Sequence, residues 1–263
     1  MAEGGTVADL TVERELFARG ITLLAGMDEV GRGPLAGPVT VGVAVIGRNA
    51  QLSIDGLVDS KKLTEKKRVA MVPLVRQWAV TAVGHASPAE IDALGIIVAL
   101  RLAGQRALAR VAAAGAYPDA VLLDGKHNWL TPPQTDLFTA ELDSITALYS
   151  HLVGQAWAEG DVTGQAHAGW FGPVQMEVKG DLRCASIAAA SVLAKVERDS
   201  LMGDLDARYP GYGWAKNKGY GSASHRTYIE QVGPTPEHRL TWALPASPEQ
   251  VRKAMMKREK EKL

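Results

Sequence analysis

The sequence predicts an α/β domain, a sheet with helices packed on it, and three observations carry that prediction. Residues 23–27 and 39–46 are short runs rich in Val and Leu, separated by a charged corner bearing Gly and Pro, the pattern of two paired strands. A long helical pattern over 87–114 is followed at once by a short apolar run at 120–123. A second strand-then-helix unit places residues 174–178 before a helix at 186–202, whose Ala188, Ala189, Ala190 and Ser191 are small enough for close approach to a sheet.

At 263 residues and 28.0 kDa the chain can bury a full core as one domain. Lys+Arg and Asp+Glu are both 29, so bulk charge steers it to no polyanion, and any such role rests on a local basic face. The single cysteine, Cys184, excludes an internal disulfide and a cysteine zinc cluster and fits the reducing cytoplasm. The first residues lack the basic start and apolar run of a signal peptide. No apolar run nears the roughly 18 residues of a membrane helix.

In chain order, residues 1–20 are polar, then short-helical over 12–19, and are expected to form a surface segment. The two strands at 23–27 and 39–46 are expected to pair antiparallel. Residues 59–63 (DSKKL) make a charged connection, and Thr64 is placed to cap a helix over 65–78 with Val69, Val72, Leu74, Val75 and Trp78 as its apolar positions. Residues 79–84 are a further strand. Ser87-Pro88-Ala89-Glu90 combines a cap, a proline at the first helical position and a capping-box glutamate. The helix it opens runs to 114, bent or divided by Gly95, since an interior glycine costs about 1 kcal/mol against alanine. Residues 131–173 are the least patterned, and a connection this long is commonly an insertion with local structure of its own. Residues 209–221 are rich in Gly, Lys and aromatics, 222–232 form a short helix, and Ser247-Pro248-Glu249 opens a last, basic helix within 243–263. That basic face is either simply solvated or a source of extra DNA affinity.

Three acidic positions share one local grammar. Asp28-Glu29, Asp124 and Asp181 each follow a short apolar strand and lie near glycine. Strand ends gathered at one edge of an α/β sheet are where ligands bind. Four such carboxylates would repel one another, and two magnesium ions about 3.5–4 Å apart would neutralise them and clamp a phosphodiester for in-line attack. Neighbouring residues of a regular strand face opposite ways, so a strand end or bulge between Asp28 and Glu29 is expected if they share a site. A turn-capping role for the Asp28-Glu29 pair is the alternative.

These residues sit in an ordered set of motifs: DEVGRGPLAGPV (28–39), DSKKL (59–63), LLDGK (122–126), KGD with SIAAASVLAKVERD (179–199), NKGYGSASH (217–225) and GPTPEHR (233–239). Together they resemble bacterial ribonuclease HII, the type 2 ribonuclease H, over roughly residues 22–242. The resemblance implies a ribonuclease H-like fold with a mixed five-stranded sheet flanked by helices, here with a C-terminal helical extension, and a catalytic domain over 21–242. It implies that Asp28, Glu29, Asp124 and Asp181 are the catalytic, metal-binding carboxylates, using Mg2+ or Mn2+. The Gly31-Arg32-Gly33 corner resembles the family's contact with the 2′-hydroxyl at an RNA-to-DNA junction, and Tyr220 its junction tyrosine. That hydroxyl is the one group separating ribo- from deoxyribonucleotide, and backbone amides approach a sugar closely only where glycine removes the side chain. The implied substrates are RNA–DNA hybrids and DNA duplexes with embedded ribonucleotides, cut by a monomeric cytoplasmic enzyme to leave 5′-phosphate and 3′-hydroxyl ends.

Lesser candidates carry two readings each. Ser60 and Lys61 hold a substrate phosphate or form a solvated helix entry, while Lys179, Arg183 and Lys195 are phosphate contacts or counter-charges. The six histidines lack zinc spacing and are taken as structural or surface groups, His225 being the mild exception because of its place beside KGYGS. Three rival functions are weighed: a type 3 ribonuclease H, which lacks the Gly-Arg-Gly corner; a silent binding module, which would lack one carboxylate; and a small-molecule phosphatase, which leaves the junction set unexplained.

Overall fold

A computed structural model describes residues 8–58, 60–132, 144–160 and 169–261. Asp59 of the DSKKL connection, the start of the N-terminal segment, much of the 131–173 stretch and Lys262 of the tail lie outside the described residues.

Five strands form one mixed sheet among the described residues: β1 (Leu23–Val30), β2 (Val39–Gly47), β3 (Val80–Ala86), β4 (Ala120–Asp124) and β5 (Val174–Glu177), in the order β3-β2-β1-β4-β5. β1 pairs antiparallel with β2, and β2 with β3, while β1–β4 and β4–β5 are parallel. The helices are α1 (Thr11–Ala18), α2 (Glu65–Trp78), α3 (Pro88–Leu94), α4 (Ile96–Ala113), α5 (Ser144–Gly160), α6 (Gly180–Arg183), α7 (Ala185–Arg208), α8 (Trp214–Asn217), α9 (Ala223–Val232) and α10 (Pro248–Lys260). Gly95 does divide the long helical pattern, with φ at +76° between α3 and α4.

The alternation of β1 and β2 builds two cores. Ala25, Met27, Val41, Val43 and Val45 face α4, whereas Leu24, Ala44 and Ile46 face α7. Gly26 and Gly42 complete the α7 face, and a Cβ at either would strike the α7 backbone, at Ser186 and Ala190 respectively. The small-residue face of α7 therefore lies directly on β1 and β2, with Ser191 one residue beyond Ala190.

Several expectations need correction. Residues 8–17 are not a surface segment: Leu10, Leu16 and Phe17 are buried against α7, and Glu13, fully buried, accepts hydrogen bonds from Ser186 N (2.9 Å) and Ser186 Oγ (2.8 Å). Among the expected core positions of α2, Val69 and Leu74 are exposed, while Met71 and Val75 face inward. Of the stretch read as an insertion, α5 sends Val153 and Trp157 into the α4 core, where the Trp157 indole donates to Gln105 Oε1 at 3.2 Å. The basic α10 is docked as well as solvated, because Arg258 pairs with Asp92 at 2.7 Å and donates to the Pro236 carbonyl.

Candidate active site

The parallel pairing of β1 with β4 ends at Met27 and Leu123, and the next residue on each strand is an aspartate. Ala120 and Leu122 face α7, so alternation puts Asp124 on the same face as Asp28, on the neighbouring strand. The expected break between Asp28 and Glu29 is absent. β1 continues regularly to Val30, with Asp28 opposite Gly42 and Glu29 opposite Val41. The two side chains leave on opposite faces, yet each still feels the charge of Asp124.

Burial drives the electrostatics. Asp28 is pushed up to about 8, first by desolvation, then by repulsion from Glu29 and Asp124, against opposing hydrogen bonds from the Ser191 hydroxyl and the Glu29 amide. The amide bond is 2.7 Å long, from Glu29 N to Asp28 Oδ1. Glu29 is also raised, chiefly by burial, with Arg32 and the Trp129 indole pulling the other way. Arg32 Nη1 donates to Glu29 Oε1 at 3.0 Å, but Glu29 Oε2 and the Trp129 indole nitrogen are both buried without a full hydrogen-bond partner. A buried carboxylate oxygen left so costs free energy until a cation or donor meets it.

Asp181 does not end a strand. It lies in α6, the short turn after β5, entered through Lys179 in the left-handed region at φ 57°. The site is tied together there, since Gly180 N donates to Asp124 Oδ1 at 2.8 Å. Lys61 Nζ stands 3.8 Å from Asp181 Oδ2, and Ser60 Oγ lies 2.9 Å from Ser191 Oγ, so the DSKKL turn abuts the acids through both residues. Arg183 pairs with Glu177, and Lys195 with Asp199 at 2.8 Å, which makes counter-charges of these two. Among the described residues no three His, Cys, Asp or Glu side chains are already arranged to hold a metal ion.

The corner after β1 carries the remaining candidates. Gly31 has φ +87°, and a Cβ there would collide with the Arg198 side chain, so only glycine fits. A Cβ on Gly33 would touch the Tyr220 ring at 3.8 Å, which puts the two expected sugar readers side by side. Tyr220 is 48% exposed, and its carbonyl accepts from His225 Nδ1 at 2.8 Å. His225 and His238 are both fully buried, with their Nε2 atoms 3.2 Å apart. The Trp214 indole donates to His225 Nε2, and Thr235 N to His238 Nδ1, so each imidazole is neutral, with one nitrogen donating and one accepting. Sequence reasoning missed Ser191, Trp129, Arg198 and Arg239. Ser191 was visible only as a small residue, and nothing in a lone arginine's sequence context announces burial.

A model of the family described as ribonuclease HII matches residues 25–149 and 155–244. A curated ribonuclease HII of Streptomyces avermitilis is 43% identical over 235 residues, covering 89% of this chain and 82% of its relative. Among solved structures, the chain resembles one titled as the PCNA:RNase HII complex from Archaeoglobus fulgidus (TM-score 0.55, 23% identity, 84% of this chain and 96% of that one). It also resembles one titled Bst-RNase HIII in complex with Mn2+ (TM-score 0.56, 20% identity, 89% of this chain and 70% of that one). At those identities the structures speak for the fold, which types 2 and 3 share, while the family model and the sequence relative distinguish them. The chain belongs to the ribonuclease HII family.

Proposed function

We propose that this hydrolase cuts the RNA strand of RNA–DNA hybrids and nicks duplex DNA on the 5′ side of a single embedded ribonucleotide. The products carry 3′-hydroxyl and 5′-phosphate ends. One observation supports the reading above the others: Arg32, which pairs with Glu29 of the acidic group, belongs to the same corner as Gly33, and that corner abuts the exposed Tyr220 ring.

The residues fit divalent cations. Asp28, Glu29, Asp124 and Asp181 are hard oxygen donors, Glu29 Oε2 is buried without a hydrogen-bond partner among the described residues, and neighbouring negative charge raises the proton affinity of Asp28 and Glu29. Mg2+ and Mn2+ keep several waters and take substrate phosphate oxygens, so a few carboxylates are enough to hold them. When bound, two such ions would supply Lewis acidity for the attacking water and the departing 3′-oxygen. Ser191 and the Glu29 amide orient Asp28, Arg32 fixes one oxygen of Glu29, and Gly180 fixes one of Asp124. Ser60 and the exposed Lys61 serve a substrate phosphate beside Asp181. The catalytic work falls to residues 21–242, with the docked N-terminal segment and α10 as supports. Among the described residues no helix is long and apolar enough to cross a membrane. A monomer in the cytoplasm is the setting of this reading, and the free Cys184 fits a reducing compartment.

The test is a duplex with one ribonucleotide, an all-DNA control and a uniform RNA–DNA hybrid, each with Mg2+, with Mn2+ and with chelator. The expected result is metal-dependent cleavage of the first and third only. No cleavage of the ribonucleotide duplex, or equal cleavage of the control, overturns the proposal.

A further inference from the structure

Two arginines lie behind the Gly-Arg-Gly corner, both fully buried. Burying a guanidinium is costly unless its donors are met, and the usual partner is a carboxylate. Among the described residues neither forms an ion pair, and backbone carbonyls take that place. Arg239 donates from Nη1 to Arg32 O at 2.7 Å, from Nη2 to Gly31 O, and from Nη2 to Gly37 O at 3.3 Å, while the Trp242 ring covers its other side at 4.6 Å. Arg198 donates from Nε to Pro38 O at 2.9 Å, from Nη2 to Ala36 O at 3.3 Å and from Nη1 to Lys218 O at 3.0 Å. The two guanidiniums thus gather carbonyls from both ends of one corner, and Arg198 adds one from the segment leading to Tyr220.

The amides complete the picture. Leu35 N and Gly37 N pair with Gly219 O and Glu237 O, whereas among the described residues no protein acceptor takes the amide hydrogens of the exposed Arg32 and Gly33. A peptide whose carbonyl is held on the inner side has its amide hydrogen on the other, because the peptide unit is planar and trans. The carbonyl of Arg32 therefore sets where the Gly33 amide points, and that of Gly31 sets the Arg32 amide. Arg198 also lies two helical turns beyond Ser191 on α7, so a single helix orients both Asp28 and the corner.

We propose that Arg198 and Arg239 are positioning residues for ribonucleotide recognition, turning the corner's carbonyls inward so that the Arg32 and Gly33 amides meet the 2′-oxygen beside Tyr220. This rests on the ribonucleotide reading above but is separable from it. Lysine in place of either arginine keeps the charge and loses the fork that grips several carbonyls at once.

The experiment compares the wild-type protein with R239K and R198K on duplexes whose junction nucleotide is either ribo or 2′-fluoro. It reads kcat and KM separately, the Mn2+ concentration for half-maximal rate, and thermal melts. The expected result is a loss of tenfold or more in the ribo-over-fluoro preference of kcat/KM in the folded R239K variant, with the Mn2+ midpoint within twofold of wild type. A folded R239K or R198K protein that keeps the wild-type preference overturns the inference. Should neither variant fold, amide exchange in the wild-type protein decides: Arg32 and Gly33 gain protection on binding the ribo duplex, and no gain at either overturns it. A wild-type protein that cuts neither duplex sinks the underlying function instead, so the two failures are told apart.

Discussion

If Asp124 is one of the proposed metal ligands, it separates chemistry from folding. Its Oδ1 accepts from Gly180 N, a role an asparagine oxygen can keep, and its charge repels Asp28 and Glu29. Asp124→Asn is therefore expected to abolish turnover, by about a hundredfold or more, while the melting temperature stays level or rises. A cleavage assay beside a thermal melt checks both halves, and an unfolded variant would contradict the assignment. Tyr220→Ala should lower the rate on single ribonucleotides about tenfold, equivalent to about 1.4 kcal/mol. An unchanged rate would remove Tyr220 from the sugar surface. The four candidate acids stand out in the sequence as residue types near glycine. What sequence could not show was that Asp28 and Glu29 leave opposite faces of an unbroken strand, because that depends on how far β1 stays paired with β2.

At the scale of elements, α7 sets the site, and it does so by lying on two glycines. Gly42→Ala would push a methyl into the Ala190 carbonyl, lifting Ser191 away from Asp28. Overpacking of this kind typically costs about 1–3 kcal/mol, so denaturant unfolding should show a loss of that order together with reduced activity. A neutral outcome would mean that α7 has freedom to shift. Glu13 secures the start of the same helix through Ser186, and burial raises its carboxyl above the usual range. Glu13→Ala should cost about 1–3 kcal/mol, whereas Glu13→Gln, which keeps an acceptor without the charge, should cost less. Equal losses from the two would deny the hydrogen bonds their role. The small-residue run of α7 was readable from sequence as a packing face, and so were the caps at Ser87 and Ser247. The docking of α1 was not, since Glu13 meets a partner 173 residues away and its local composition is that of a surface helix.

Across the whole molecule, distant segments converge on one side of the sheet: the β1 corner, the DSKKL turn, α6, and the 217–239 region braced by α10. Order along the chain revealed which motifs belong together, and the sheet order explains how they meet. The buried histidines are expected to make this bracing acid-sensitive. His238 is held down at about 3, and His225 is also lowered, chiefly by burial, against 6.5 for a free imidazole. A depressed folded value means the unfolded chain takes up protons first as pH falls. The stability present above about pH 6.5 is thus lost progressively toward the folded value. Melting temperature should drop steeply between about pH 6.5 and 4, and His238→Gln should flatten the slope. An equally steep drop in that variant would place the acid sensitivity elsewhere.

The account depends on four acids holding divalent cations together. Anomalous scattering from crystals of the protein with a ribonucleotide-bearing duplex and Mn2+ measures this directly. Peaks among Asp28, Glu29, Asp124 and Asp181 are the predicted result. Manganese bound elsewhere, or none beside these carboxylates while the duplex is engaged, would contradict it.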